Sequence, residues 1–369
     1  PPYIAPIIID GIRPTFSNYQ IQTSNATTTY AIPNDTVTLT FDVSEQASST
    51  FAANSVEFAL HDGIGGSLSP YTNANSVSLL GTNTIQAVFQ YTETNTAYNN
   101  YFVHWRINSV YDLAGNVSAV VSKTANTGDL IVTYDNEIPT IVFSDIRSDN
   151  SFGNQQLAND GNTIELEITA SENIQITTSD ITILGSPVSI LATTGVATNL
   201  MGWSAQSRAV VPSDPSGTVS FSIDFIDIAG NVGTQVVSTT TGNTVVIDRT
   251  SATASPIFMY SNNASTTLAK VGDTVYLQFE LDEPFNDLAA TLGGNVLTQS
   301  NFSIVASDTY SMEYTMTSSD IEGPIAFTLL VTDTANNASP IYTAVTSGTA
   351  VIFDKTNPTV STVQASSTT

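Results

Sequence analysis

The chain has 369 residues, with 33 acidic side chains against 8 Lys and Arg and a formal net charge of −25. A surface of that sign repels phosphate backbones and anionic headgroups, so nucleic acid is disfavoured as a partner and cations are the natural counterpart. With no cysteine, disulfides and thiolate metal sites are excluded, and no apolar run approaches the ~20 residues that span a bilayer, so direct membrane insertion is not expected.

The opening "PPYIAP", without Met or a charged leader, reads as a processed chain or a fragment. Residues 1–13 read as the end of a preceding repeat: "PIIID" is an apolar strand stopping at Asp10, with Pro14 four residues on. Next comes "DTVTLTFDVSE" (35–45), whose alternate positions Val37, Leu39, Phe41 and Val43 are apolar. Period two with one apolar face predicts a half-buried antiparallel strand. Residues 46–100 read as an insertion peculiar to this repeat, Tyr-rich near Tyr91, Tyr98 and Tyr101. "VYDLAGN" (110–116) follows a strand carrying Val103, Trp105 and Ile107, which sit one residue out of phase with Asp112. A β-bulge near Ser109 would restore the phase. The repeat closes on "LIVTYD", with Asp135 four residues before Pro139.

The same landmarks then recur twice, in the same order. The second copy has "NTIELEITASE" (162–172) with Ile164, Leu166, Ile168 and Ala170 inward. A strand with Val219, Phe221, Ile223 and Phe225 then runs into "FIDIAGN" (225–231), and "TVVID" ends at Asp248. The third has "DTVYLQFELDE" (273–283) with Val275, Leu277, Phe279 and Leu281 inward. A strand with Ile325, Phe327, Leu329 and Val331 leads into "VTDTANN" (331–337), and "AVIFD" ends at Asp354 with Pro358 beyond. Each first strand reaches a glutamate eight residues after its first apolar position: Glu45, Glu172 and Glu283. The steps from Asp135 to Asp248 and from Asp248 to Asp354 are 113 and 106 residues, the size of an immunoglobulin-like sandwich. The division is therefore 14–136, 137–249 and 250–355, with 356–369 opening a following repeat. No stretch shows sustained helical periodicity.

The segments "SNNASTTLAKVGDTVYLQFELDE", "SMEYTMTSSDIEGPIAFTLLVTDTANN" and "GTAVIFDKTNPTV" resemble the tandem bacterial Ig-like repeats of large cell-surface proteins and adhesins. The resemblance covers nearly the whole chain, closest in the third repeat and loosest in the first. It implies an all-β fold of tandem immunoglobulin-like β-sandwich domains in a linear array, extracellular or on a cell surface. It also implies that the strand ending in glutamate is strand B and that "DLAGN" is the F–G loop. B–C and F–G loops share the end at which the chain enters, where the terminal Asp of the previous unit arrives.

Three sequence-distant acids would then meet at each junction, with an asparagine beside them. The groups are Asp10, Glu45, Asp112 and Asn116; Asp135, Glu172, Asp227 and Asn231; and Asp248, Glu283, Asp333 and Asn337. Two carboxylates about 4 Å apart repel by roughly 4 kcal/mol at an effective dielectric of 20, so three call for protonation or a cation. An oxygen-only set without His or Cys suits a hard cation, and Ca²⁺ tolerates its irregular geometry better than Mg²⁺. The simpler alternative is that Asp112, Asp227 and Asp333 brace a hairpin turn with Asx bonds, Gly115, Gly230 and Asn336 supplying the left-handed residue. That alternative leaves the glutamates and terminal aspartates unexplained.

Catalytic signals are missing. His61 and His104 are the only histidines, no G-x-S-x-G elbow occurs, and the Gly-rich "HDGIGG" (61–66) lacks the strand–helix context of a phosphate loop. Carboxylate pairs that recur with the fold unit argue for structure over glycoside chemistry. The expectation is a non-enzymatic, Ca²⁺-stiffened stalk whose partners are neighbouring Ig-like domains of the same chain or of adjacent subunits. Two alternatives remain open: a surface-layer or filament subunit, and a carbohydrate-binding module that uses 46–100 against surface glycans.

Overall fold

A computed structural model describes residues 7–63, 68–92, 94, 96–127, 130–150, 154–177, 179–191 and 200–367. Among them the regular structure is strand, apart from two 3₁₀ turns at Thr96–Tyr98 and Gln299–Asn301. Residues 64–66 of the Gly-rich stretch, and the first six residues, lie outside this set.

The alternating segments become strands with their apolar positions inward. Val37, Leu39, Phe41 and Val43 are buried, as are Ile164, Leu166, Ile168 and Ala170, and Val275, Leu277, Phe279 and Leu281. Each set belongs to a separate hydrophobic core, so the chain folds as three units.

In the first unit one sheet has the order Phe16–Thr23, Thr36–Val43, Thr84–Gln90, Ser76–Leu80. This is the A–B–E–D order of an immunoglobulin sheet. The facing sheet runs Tyr30–Ala31, Thr133–Tyr134, Tyr101–Ile107, Val56–His61, Thr72–Asn73, or A′–G–F–C–C′. Thr133–Tyr134 pairs parallel with Tyr30–Ala31, which closes the barrel-like edge between the sheets. The second unit repeats the first sheet with Ile141–Ser148, Ile164–Gln175, Leu200–Gln206 and Ser189–Leu191. The third uses Ala254–Ser261, Thr274–Leu281, Thr309–Thr315 and Phe302–Ala306. Their last strands, Val246–Ile247 and Ile352–Phe353, also pair parallel with short early strands at Leu157–Ala158 and Leu268–Ala269. The fold is a tandem of immunoglobulin-like β-sandwiches.

Residues 46–100 are not an insertion outside the shared sandwich. Val56–His61, Ser76–Leu80 and Thr84–Gln90 hold the C, D and E places that Phe285–Leu292, Phe302–Ala306 and Thr309–Thr315 hold in the third unit. The extra length sits in loops, chiefly 44–55 between B and C, where the third unit has only 282–284. Strand C hides in the sequence because Val56, Phe58, Ala59 and Leu60 are all buried, which erases alternation. Tyr91 is a core residue whose hydroxyl donates to Ala59 O at 3.1 Å, so it does not belong to a binding face. The phase change before Asp112 is real. Val103, Trp105 and Ile107 are buried, the strand stops, and burial resumes at Val110 and Asp112.

Trp105 is fully buried, with Tyr19 tilted against it at 4.9 Å between ring centroids. Replacing Trp105 by Ala should cost the first unit about 3–5 kcal/mol. Because the cores are separate, denaturation followed by calorimetry should show one transition moving to lower temperature and the transitions of the other two units unchanged.

Candidate metal centres at the unit junctions

Strand register assembles each junction. The residue two beyond the glutamate pairs antiparallel with the loop aspartate in every unit: Ala47 with Asp112, Ile174 with Asp227, Phe285 with Asp333. The residue before the glutamate is tied to the start of the A strand, just downstream of the preceding terminal aspartate. Ser44 Oγ accepts from Thr15 N–H at 3.0 Å, Ser171 Oγ from Thr140 N–H at 3.0 Å, and Asp282 Oδ1 from Thr253 N–H at 2.7 Å. Three chain segments are pinned together, and one carboxylate of each reaches the same point.

The resulting groups are Asp10, Glu45, Asp112; Asp135, Glu172, Asp227; and Asp248, Glu283, Asp333. In each, one oxygen from every residue lies within 4.8 Å of the others. Glu172 is not the end of its strand, as the pattern suggested. That strand runs on to Gln175, and Ile174 and Gln175 pair with Asp227 and Ile226.

The loop aspartates also brace their turns. Asp112 Oδ1 accepts from Asn116 N–H at 2.8 Å, Asp227 Oδ1 from Gly230 and Asn231 N–H at 2.6 and 2.8 Å, and Asp333 Oδ1 from Ala335 and Asn337 N–H at 2.8 Å each. Gly115, Gly230 and Asn336 have φ of 93°, 99° and 74°, the left-handed conformation that this turn requires. Turn bracing and convergence therefore coexist in the same residues. The terminal aspartates also brace their own turns. Asp10, Asp135, Asp248 and Asp354 each use Oδ1 to accept the N–H two residues ahead, at 2.9–3.1 Å.

The asparagines bind the loop aspartates and the incoming chain through their amide nitrogens. The Nδ2 of Asn116, Asn231 and Asn337 donates to the Oδ2 of Asp112, Asp227 and Asp333 at 2.8, 2.8 and 3.0 Å. The same nitrogen donates to the backbone carbonyl of the linker aspartate, Asp10, Asp135 or Asp248, at 3.3, 3.4 and 3.0 Å. These nitrogens position the aspartate and hold the incoming chain, and a cation would take the Oδ1 of the same amide.

The electrostatics follow from the crowding. Burial, then Asp135 and Asp227, push the Glu172 carboxyl up to about 7. Burial, then Asp333 and Asp248, do the same to Glu283, also to about 7. Burial lifts Asp135 to about 6, and Glu45 is raised by burial, Asp10 and Asp112. Asp112 goes the other way: burial would raise it, but the N–H donors of its turn prevail and hold it low. Two further acids add to the field without belonging to the repeated set, Glu137 beside the second group and Asp282 beside the third. Sequence reasoning missed both because their counterparts are not acids: Ile12 and Thr250 for Glu137, Ser44 and Ser171 for Asp282.

A hard cation fits this donor set. Oxygens bound to one Ca²⁺ at about 2.3–2.6 Å lie no more than about 5 Å apart. Glu45 Oε1 and Glu172 Oε1 are buried and have no hydrogen-bond donor among the described residues, a costly state that an ion would relieve. No nitrogen or sulfur ligand joins any of the groups among the described residues, and His104 is occupied elsewhere, by Tyr71 and Thr124 at 2.9 and 2.8 Å.

No family model matches the chain, and no curated protein matches it. Among solved structures it is similar to the I9–I11 tandem of titin, at 10% identity over 89% of this chain and 96% of that one, TM-score 0.31. It is also similar to the Ig1–Ig3 ectodomain of mouse nectin-like molecule 4, at 10% identity over 90% and 98%, TM-score 0.27. The fibronectin(III)-like modules of Clostridium thermocellum CbhA match at 10% identity over 57% and 95%, TM-score 0.27. The assignment of fold rests on the strand order above.

The raised glutamates set a pH dependence for the metal-free chain. A carboxyl whose folded pKa lies above its ordinary 4.5 is bound more tightly to its proton in the folded state. Its stabilising contribution is full below about 4.5 and is lost as pH rises to about 7. In chelator, the melting temperature should therefore fall between pH 5 and pH 7.5, and Glu172→Gln with Glu283→Gln should flatten that fall.

Proposed function

We propose that this chain is a non-catalytic structural segment of an extracellular surface protein, a stalk of Ig-like units stiffened by Ca²⁺ at each junction. The observation that carries this reading is the threefold recurrence of one carboxylate trio, an incoming linker aspartate meeting the B and F–G elements of a unit, and for Asp135 and Asp248 that linker leaves another unit. A catalytic centre has no reason to recur at every junction, whereas a cross-link has every reason to. The linkers are short, and the acids that meet there repel unless charge is supplied. With Ca²⁺ in place the same acids become a bridge between the previous unit's Asp and the next unit's Glu–Asp pair. An adhesin-type stalk needs that kind of reach. Extracellular Ca²⁺ modules bind at about 10⁻⁴–10⁻³ M, which three carboxylates with solvent and backbone oxygens can supply.

Chelation should soften the junctions and leave the sandwich cores folded, because the cores do not touch the metal. Small-angle scattering in EDTA should give a shorter average maximum dimension with nearly unchanged circular dichroism. Asp135→Ala should loosen only the first-to-second junction and remove one ion per chain in titration calorimetry. Asp248→Ala should do so only at the second-to-third junction, and Asp354→Ala should change neither. Interdomain angles that are indifferent to chelation would leave turn bracing as the whole role of these acids.

A further inference from the structure

The first-to-second and second-to-third junctions each carry a second contact besides the carboxylates. Asn25, in the turn after the first unit's A strand, donates from Nδ2 to Ala229 O of the second unit at 2.8 Å. Asn150, at the same place in the second unit, donates to Thr334 O of the third at 3.1 Å. In both cases the acceptor is a backbone carbonyl inside the D-x-A-[GN]-N loop. We infer that this asparagine is a metal-independent latch, the A–A′ turn of one unit being a docking surface for the F–G loop of the next.

Burial supports the inference independently. Ala229 and Ala335 are 0% and 1% exposed, whereas Ala114, the same loop position in the first unit, is exposed. Within the described residues no sandwich precedes the first unit, so what differs is the neighbour. A small residue at this position lets the loop backbone come within hydrogen-bonding reach of the amide.

The latch is set before it closes. Asn25 N–H donates to Thr23 Oγ1 at 3.1 Å, its Oδ1 accepts from Thr27 N–H at 2.8 Å, and Nδ2 also donates to Asp35 Oδ2 at 2.8 Å. Asn263 has the same three bonds in the third unit, to Ser261 Oγ, Ser265 N–H and Asp273 Oδ2 at 3.2, 3.0 and 2.6 Å. The 369 residues contain no fourth F–G loop for Asn263 to meet. The rotamer is thus fixed by its own turn, and docking loses little side-chain freedom. No carboxylate of the metal trios is involved. The contact does not depend on the Ca²⁺ reading, although the two would act on the same joint.

Asn263 supplies the control, since Asn263→Ala removes the same bonds within a unit but no bond between units. The cysteine-free chain accepts spin labels at introduced cysteines, for example Ser78→Cys and Ser189→Cys on either side of the first junction. In chelator, Asn25→Ala should broaden the label–label distance distribution and shift the docked-to-undocked ratio by about fivefold, the equivalent of one hydrogen bond's net ~1 kcal/mol. Asn263→Ala should leave the distribution unchanged. Ala229→Leu, which blocks approach while leaving the Asn25 turn intact, should reproduce the broadening. If Asn25→Ala broadens the distribution no more than Asn263→Ala does, or if Ala229→Leu has no effect, the latch is refuted. Comparing calcium with chelator in the parent chain tests the clamp separately, so either idea can fail alone.

Discussion

Like charge held together by strand register is the constraint around which each junction is built. The pairing of Ala47, Ile174 and Phe285 with the loop aspartates is ordinary backbone hydrogen bonding, held in place by the sandwich cores to which Ala47 and Ile174 belong and against which Phe285 packs. Once those cores form, the carboxylates have no freedom to separate. The repulsion is therefore supplied by folding, and it can be answered by a proton, a cation, or movement of the one segment outside the sheet, the linker bearing the terminal aspartate. A proton answers it without joining anything. A cation answers it by joining the units, which is why the same residues can act as a spring in one solvent and a brace in another.

The charge distribution fits that arrangement. Only 11% of residues are charged. The few basic residues are spent locally: Arg208 pairs with Asp214, Arg147 with Glu165 and Glu167, and Arg249 with Asp160. Arg249 immediately follows Asp248 yet turns back onto its own unit, donating to Val211 O and Asp214 O at 2.8 and 3.0 Å. A cation one residue from the trio is thus kept from neutralising it. Lys355 after Asp354 behaves alike, reaching Asp320 O at 2.7 Å.

Much of the architecture was legible in the sequence, and for a clear reason. A strand with one wet and one dry face writes its orientation into every second residue, as at 37–43, 164–170 and 275–281. The repeat then let weak local signals support one another, and the acids at Asp135, Glu172 and Asp227 could be grouped before any distance was known. What failed was where burial is two-sided. Val56–Leu60 has no alternation to read, so shared strands looked like an insertion. For the asparagines the sequence is silent on a finer point: an amide has a donor end and an acceptor end, and only geometry tells which one faces the carboxylate. The latch was invisible because its partners are separated by 204 residues. A signal existed, however, in the [ST]-x-N spacing of Thr23–Asn25, Ser148–Asn150 and Ser261–Asn263, at one offset in all three repeats.

The short parallel pairing between each unit's last strand and its early A′ strand has a mechanical consequence. The last strand leads directly into the linker, through Tyr134 to Asp135 and through Ile247 to Asp248. Tension transmitted along the chain therefore enters a unit at this pairing and acts along the strands, across their hydrogen bonds. Bonds loaded in that direction share the load and must yield together, whereas a hairpin pulled from its open end would unzip bond by bond. Two residues of parallel ladder are little in free energy, but they stand where a pulled chain first meets resistance.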